Sequence, residues 1–360
     1  MENTYQKYLE KFRDPRFFTL ALVILAFAIL IIFFRKPLAP FVISLVLAYF
    51  LDGLICRLME YYPSRKIALV IVFPSFLLLY LVMIIGPLQL AAKQTILLIK
   101  RLPEMAPKIQ ALFLSFLEYL SEVLPPDRQE KLTGVLMENL KSWGQYFVTT
   151  TISSLNEISL WLVYLVLIPL LVFFMVKDKE RLQKSFLRLL PRERELVNRV
   201  WEETEVRISN YIQGKVWEIL LVGTVSTLVF YLMGFEYPSL LGLLTGFSVI
   251  IPFVGAFGAA IPLFILGYVQ WGATGDLWWI MIAYLVIQVV DGNIVAPLIF
   301  SEAVKLHPLF ILLSVFIFGS LWGLWGVFFA IPMATLIKSI LEGLLEMKMP
   351  RSGWKKLISR

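Results

Sequence analysis

The sequence predicts an all-α polytopic membrane protein with about seven to eight transmembrane helices. Apolar residues make up 59% of the chain and charged residues only 16%, which lies outside the usual range of soluble proteins. Uncharged apolar runs of bilayer length recur along the chain, beginning with residues 17–34. The Lys and Arg residues behind the net charge of +7 cluster beside these runs, which is typical of membrane orientation. We therefore expect the lipid bilayer, and no nucleic acid, as a partner.

Residues 1–92 predict three N-terminal transmembrane helices. The run 17–34 ends in a basic pair without a small-residue cleavage site, so we expect a retained helix and not a signal peptide. Residues 37–55 and 67–92 predict the next two helices. Pro74 and Pro87 lie inside the third helix and are expected to kink it.

Residues 93–154 predict an extracytoplasmic amphipathic helical hairpin. Apolar residues recur at the i, i+3, i+4 spacing on both sides of Pro125 and Pro126. Asp127 and Glu130 then resemble a capping box for the second helix. We expect this hairpin to lie on the membrane surface or to pack against neighbouring subunits of a homo-oligomer. Ordinary extramembrane helices that cover the core are the alternative.

The rest of the chain divides by hydropathy and charge. Residues 155–176 predict a transmembrane helix, 177–215 a cytoplasmic helical segment, 216–346 a C-terminal transport core and 347–360 a basic tail. Basic segments favour the cytoplasmic side, so we expect both termini in the cytoplasm. The hairpin 93–154 is then outside despite its Lys and Arg residues, because long loops translocate largely regardless of charge.

Two apolar stretches of the C-terminal core are interrupted by Gly and Pro. The arms 239–251 and 256–270 reach about 20–22 Å at helical rise, whereas the hydrocarbon core is about 30 Å thick. This predicts a re-entrant hairpin; two thin but complete crossings are the alternative. The stretch 309–341 predicts a second broken hairpin, and paired interruptions point to a transport site between them. The predicted hinges are Pro252, Gly255, Gly258, Pro262, Pro297, Pro308, Gly319, Gly323, Gly326 and Pro332.

Polar residues that could bind an ion or solute follow the span 277–290. A buried acid within a membrane is costly unless it is hydrated, paired or titrating, so Asp291 is a candidate, with Gln288 and Asn293 beside it. The alternative is that Asp291 only ends a helix at the interface. Lys305 or His307 could be the partner of Asp291, and His307 is a candidate because histidine is the side chain that ordinarily changes charge near neutral pH, although a turn role before a proline is the alternative.

Other patterns limit the possible functions. Lys215 and Glu218 stand three residues apart at the start of a span and predict an interfacial salt pair. One cysteine and one histidine exclude a disulfide framework and multi-His metal sites. The sequence lacks the phosphate-binding loop, the His-Glu-x-x-His motif and the Gly-x-Ser-x-Gly motif. We therefore expect no enzyme, no catalytic or metal site and no cofactor.

Several segments together resemble the autoinducer-2 exporter family, also called the PerM-like permeases. The resemblance is carried by residues 208–214, 251–255, 291–297, 306–308 and 323–332, and by 173–178 and 190–191. It covers nearly the whole chain and is weakest in 93–150. This chain has Asp291 where many members carry Glu, a longer acid. The resemblance implies transport, either export of autoinducer-2 or sodium/proton-type antiport.

The combined expectation is a secondary transporter of the bacterial inner membrane. It would export a small polar solute by alternating access to a site between the broken segments, with Asp291 as the titrating or ion-binding group. A sodium or lithium/proton antiporter is the first alternative. A membrane assembly protein that does not transport, and that interacts through the hairpin 93–154, is the second.

Overall fold

The computed structural model describes residues 35–62, 64–119, 158–188, 195–252, 254–300 and 307–346, with isolated positions between 131 and 142. Every regular element in these ranges is helical, which confirms the predicted all-α class. The predicted helix 17–34, the tail 347–360 and, apart from those isolated positions, residues 120–154 of the predicted hairpin lie outside the described residues.

The helices are labelled here in chain order. They are α1 (Arg35–Met59), α2 (Arg65–Met83), α3 (Gln89–Tyr119), α4 (Ile158–Lys177), α5 (Lys179–Arg188), α6 (Glu195–Leu232), α7 (Pro238–Ser248), α8 (Val254–Trp271), α9 (Gly275–Val290), α10 (Ala296–Phe300), α11 (Pro308–Trp322) and α12 (Leu324–Glu346). Two π-helical turns, Ile84–Leu88 and Asp291–Val295, join α2 to α3 and α9 to α10.

Five described segments are long and apolar enough to cross a membrane. They are Ala39–Met59, Arg65–Phe116, Glu205–Leu232, Val254–Trp271 and Gly275–Phe300. Helices α7 and α11 are apolar but shorter. Many large apolar side chains on these segments are exposed, as expected where lipid replaces water as the solvent. The chain is thus a multi-pass membrane protein.

The third predicted transmembrane helix does not end at residue 92. The helix runs on from α2 through the π turn Ile84–Leu88 into α3, which reaches Tyr119. Pro87 lies inside the π turn, where its missing N–H and its ring disturb the regular ladder of hydrogen bonds. The π turn accommodates this disturbance, so the apolar helix α2 and the amphipathic helix α3 form one continuous helix.

The first compact unit comprises Met1–Phe73, Leu167–Gly214 and Phe300–Arg360. Helices α11 and α12 pack against each other as a hairpin. Gly323 joins them with a φ of 63°, a conformation that L side chains rarely adopt. The chain therefore reverses here because this residue is glycine.

Buried charges connect α1, α2 and α5 within this first unit. The Asp52 carboxylate accepts hydrogen bonds from Arg65 Nη2 and Lys179 Nζ, both at 2.8 Å. Lys179 also pairs with Glu205 at 3.1 Å, and Arg65 Nη2 donates to the carbonyl of Val176 at 3.2 Å. Asp52 is buried, so this network satisfies a charge that would otherwise be costly.

The second compact unit comprises Pro74–Val166 and Lys215–Ile299. Helix α8 packs against α7, α9 and α3, and α7 also packs against α3. A buried hydrophobic cluster of this unit includes Phe230, Leu241, Leu263 and Ile280. This packing fixes the hairpin of α7 and α8 beside α6 and α9, which carry the buried charges described next.

Candidate transport site

The hairpin of α7 and α8 has one arm, α7, that is shorter than a membrane span, and an irregular tip. Helix α7 ends at Ser248, α8 begins at Val254, and Pro252 lies in the turn between them. Gly255 is buried at the start of α8, and a Cβ atom there would collide with the carbonyl group of Ser248. The tip can therefore fold back this tightly only with glycine at this position.

Two glycines on α7 bring the same hairpin close to α6. A Cβ on Gly246 would lie 2.8 Å from the Cα of Gly223 and from the carbonyl oxygen of Ile219. A Cβ on Gly242 would collide with Thr227. The Gly-x3-Gly motif thus serves the close backbone approach that such motifs allow in membranes.

A buried ion pair on α6 contacts the tip of this hairpin. Lys215 and Glu218 are 5% and 3% exposed and form an ion pair one helical turn apart. The Lys215 ammonium also donates a hydrogen bond to the carbonyl oxygen of Val249 at 2.9 Å. Val249 caps the C-terminal end of α7, where carbonyl groups lack helical partners and the helix dipole favours a cation.

Asp291 adds a third buried charge to this pair. It is 8% exposed, and it interacts electrostatically with both Lys215 and Glu218. Its Oδ1 atom has no hydrogen-bond partner among the described residues, and neither has the buried Nε2 atom of Gln288. When all three groups are ionised, one positive and two negative charges leave the cluster with one net negative charge. Such a cluster is suited to binding a proton or a cation.

Asp291 is buried at the start of the π-helical turn Asp291–Val295, within a continuous helix. Pro297 offers no N–H group, and its ring crowds the carbonyl of residue 293, so the preceding turn widens. The Asn293 side chain is exposed and donates to the carbonyl oxygen of Val289 at 2.8 Å. Asp291 and Gln288 therefore carry buried polar atoms, whereas Asn293 lies on the exposed side.

His307 lies in the other unit from Asp291. It is exposed and precedes the first residue of α11, Pro308. Its Nδ1 atom accepts a hydrogen bond from the backbone N–H of Leu309 at 3.3 Å. In the described structure His307 thus acts as a helix cap, and its role as a partner of Asp291 stays a prediction.

The predicted hinges fall into two groups. Pro252, Gly255 and Gly323 stand at or next to breaks between helices. The others lie within helices or at a helix start: Gly258 and Pro262 in α8, Pro297 in α10, Pro308 at the start of α11, Gly319 in α11, and Gly326 and Pro332 in α12. The buried Gly326 closely approaches the carbonyl of Phe318, which makes it a packing residue of the α11–α12 hairpin.

A lateral groove of about 540 Å³ begins beside Asp291. Residues 221–229 of α6, together with Met233 just after the end of α6, line one wall, and residues 279–290 of α9 line the other. Apart from the Asp291 carboxyl group and the indole of Trp279, the lining side chains are aliphatic or thioether groups.

The buried Lys215–Glu218 pair is the part of this site that the sequence interpretation missed. The spacing of three residues predicted the salt pair, which the structure confirms, but not its burial within the protein. The sequence does contain an indication of this burial, because both charged residues lie at the start of a largely apolar segment that extends to Met233. Only the folding of the α7–α8 hairpin over this turn of α6 shows that the pair is buried.

Comparison with known proteins identifies the family to which this chain belongs. The sequence model of the AI-2E transporter family matches residues 20–346 of this chain. The chain is 42% identical over 346 residues to PerM of Escherichia coli (strain K12), named as a permease, covering 95% of this chain and 97% of that one. It is 25% identical over 324 residues to YueF of Bacillus subtilis (strain 168), named as a transport protein, covering 88% and 86%.

A third relative is named for a specific molecule. The AI-2 transport protein TqsA of Escherichia coli (strain K12) is 23% identical over 310 residues, covering 86% of this chain and 87% of that one. These names denote permeases and transport proteins and no enzymatic reaction, which supports a role in membrane transport. The match along most of the chain and its apolar helices identify it as a multi-pass membrane protein of the AI-2E transporter family.

Proposed function

We propose that the protein is an ion-coupled secondary transporter that exports a small polar solute similar to autoinducer-2 by alternating access. One observation carries the proposal. Lys215, Glu218 and Asp291 are buried together among helices long enough to span a membrane, beside the C-terminal end of the short helix α7. Charged side chains buried within membrane segments are expensive and mark ion or substrate pathways. The resemblance to TqsA in turn supports the choice of solute.

The cluster offers a way to couple ion binding to a conformational change. When Asp291 is ionised and binds no cation, the cluster carries one net negative charge. A bound proton or cation neutralises this charge. Neutralisation lowers the free-energy cost of shielding the site from water. The protein with a bound ion and the protein without one should therefore favour conformations that expose the site to water differently. Lys215 bonds to Val249 and pairs with Glu218, so a change of charge at the cluster acts directly on the tip of the α7–α8 hairpin.

Cation/proton antiport is the second candidate, and the ligand set favours it. The Asp291 and Glu218 carboxylates and the Val249 carbonyl are hard oxygen ligands, and a half-helix C-terminus with unwound carbonyls is a recurrent sodium site in transporters. Lys215 contacts two of these oxygens with its own ammonium group. A transported sodium or lithium ion would compete with that ammonium for the same ligands.

The proposal includes a location in the bacterial inner membrane with both termini in the cytoplasm. It is supported by the basic segments that flank the apolar runs and by the bacterial relatives. The partners proposed are the solute or cation, the lipid bilayer and other copies of the chain in a homo-oligomer. Exposed apolar side chains such as Val70, Tyr231 and Leu232 support contact with lipid or with such copies.

Flux through purified protein in liposomes tests both candidates. Efflux of autoinducer-2 is measured with an imposed sodium or proton gradient, and gradient-driven proton movement is measured without the solute. In Asp291→Asn, antiport should lose its pH dependence, and coupled export of autoinducer-2 should lose its response to the imposed gradient. Asp291→Glu, which keeps the charge, is the control and should retain coupled flux. If autoinducer-2 and cations give no flux, the proposal is wrong and a role in membrane assembly is favoured.

A further inference from the structure

The start of α2 lies beside the end of α4 in the first compact unit. Arg65, the first residue of α2, donates a hydrogen bond from Nη2 to the carbonyl oxygen of Val176 near the end of α4, at 3.2 Å. Farther along the same two helices, the ring centroids of Phe73 and Phe173 are 5.0 Å apart. The polar turns that precede α2 and follow α4 therefore share one end of this helix pair.

This end of the helix pair carries more positive than negative charge on its surface. The exposed cations from the end of α1 to the start of α2, and from the end of α4 into α5, are Arg57, Lys66, Lys177, Arg181 and Lys184. The exposed acids of the same segments are Glu60 and Glu180. None of these cations forms an ion pair within the described part of the chain, and the buried Asp52 carboxylate is already paired with Arg65 and Lys179. The surface is therefore suited to an anionic ligand.

Lys66 and Lys177 stand where this charged surface meets an apolar one. They directly follow the two residues that are joined by the hydrogen bond between α2 and α4. The Lys177 ammonium lies over the rings of Phe173 and Phe174, 5.6 and 6.0 Å from their centroids. Exposed apolar side chains continue from there along both helices: Ile67 and Val70 on α2, and Leu170 and Phe174 on α4. Such a surface on apolar membrane helices is suited to acyl chains.

A phospholipid with an anionic headgroup matches both surfaces. Basic sites between transmembrane helices bind anionic lipid headgroups, and the excess of exposed cations selects a headgroup with a net negative charge. A soluble anion would contact only the lysines, whereas a phospholipid also covers the apolar side chains beside them. We propose that Lys66 and Lys177 bind the headgroup of an anionic phospholipid, whose acyl chains lie along the first turns of α2 and the last turns of α4. The proposal does not depend on which solute or ion is transported.

Competition between two phospholipids tests the choice of headgroup. The full chain in a neutral detergent is mixed with phosphatidylglycerol and phosphatidylcholine of the same acyl chains, and native mass spectrometry measures the affinity for the first bound lipid. Each Lys or Arg near an anionic lipid contributes about fivefold in affinity, so we expect phosphatidylglycerol to bind about tenfold more tightly or better. Equal affinities for the two lipids in the wild type would overturn the proposal.

Two double variants with the same change of net charge locate the site. Lys66→Gln combined with Lys177→Gln should reduce the preference for phosphatidylglycerol to about twofold or less. Lys93→Gln combined with Lys100→Gln, which changes two exposed lysines of α3, should leave the preference unchanged. Thermal unfolding in the same detergent checks that both variants fold. An equal loss of preference in both would show a response to overall charge and would contradict the proposal.

The contribution of the acyl chains is tested with the headgroup alone. Glycerophosphoglycerol carries the same phosphate without acyl chains, and we expect it to leave phosphatidylglycerol bound when the two are present at equal concentration. Displacement of the lipid by glycerophosphoglycerol or by inorganic phosphate at that concentration would indicate a site for a soluble anion and would overturn the proposal.

Discussion

The ammonium group of Lys215 donates a hydrogen bond to the carbonyl oxygen of Val249 at 2.9 Å, which connects α6 to the tip of the α7–α8 hairpin. The same ammonium pairs with Glu218. The ion pair therefore also satisfies a carbonyl group at the end of a half-helix, where no backbone donor is in place. Stability and transport should both depend on it.

Removing one member of the Lys215–Glu218 pair should lower the free energy of unfolding more than removing both members does. Lys215→Met leaves the Glu218 carboxylate buried without its cation, and we expect a loss of about 3–5 kcal/mol in the free energy of unfolding. Lys215→Met combined with Glu218→Met should be less destabilised than the single variant, because one uncompensated charge is gone. Thermal unfolding in detergent measures both, and additive losses would contradict the prediction.

The close approach of α7 and α6 should make Gly246 intolerant of a methyl group. A Cβ there would lie 2.8 Å from backbone atoms that cannot move independently, so we expect Gly246→Ala to cost about 1–3 kcal/mol. Gly258→Ala is the matched control, because Gly258 is exposed in α8 with no atom within 4 Å of its added Cβ. It should be neutral or stabilise the helix by about 0.5–1 kcal/mol. Equal losses in both variants would show that the approach is not the cause.

The turn between α11 and α12 should depend on the backbone of Gly323. Its φ of 63° and ψ of −139° lie in a region that is accessible almost only to glycine. We expect Gly323→Ala to lower the free energy of unfolding by about 1–3 kcal/mol. Gly275→Ala, also in open space, is the control and should have little effect. Comparable unfolding temperatures for both variants would refute the prediction.

Lys179 should make stability sensitive to alkaline pH. Burial lowers the pKa of Lys179, but hydrogen bonds and ion pairs with Asp52 and Glu205 raise it, on balance above its ordinary value of 10.5. A pKa that is raised on folding contributes stability below the unfolded value, and this contribution is lost as pH rises through the folded value. The unfolding temperature should therefore fall above about pH 10.5.

Lys179→Met isolates this contribution. The variant should be less stable at neutral pH and should show a shallower alkaline decline than the wild type. Lys179→Arg keeps the charge, since arginine stays protonated over this range, and should preserve more of the neutral stability. Parallel pH curves for the wild type and Lys179→Met would contradict the assignment.

Much of the fold follows from hydropathy and from glycine and proline. The apolar windows predicted the all-α membrane class, and the helices break at 249–253 and at Gly323, within the two segments where Gly and Pro interrupt the sequence. The end of the third predicted helix was harder to infer. Apolar and amphipathic stretches share the period of 3.6 residues, so nothing in the spacing distinguishes one rod from two helices at Lys93.

The site was predictable only in part, for a related reason. Asp291 was singled out because acids are rare in membrane segments. Lys215 and Glu218 have the same i, i+3 spacing whether they lie at an interface or in the interior. Their burial depends on the α7–α8 hairpin, which is distant in sequence from Glu218 and closes over them through Val249.

The π-helical turn at Asp291–Val295 gives its helix a spare residue. Deleting one residue from the turn would let it rewind as ordinary α-helix, and the rod from Gly275 to Phe300 would survive intact. A π turn winds one more residue through about the same rotation as the α-helical turn that it replaces, so the side chains on the two sides of the deletion would keep their mutual orientation. Shortening this helix by one residue would thus remove the widened turn that carries Asp291 and leave both flanking faces in place.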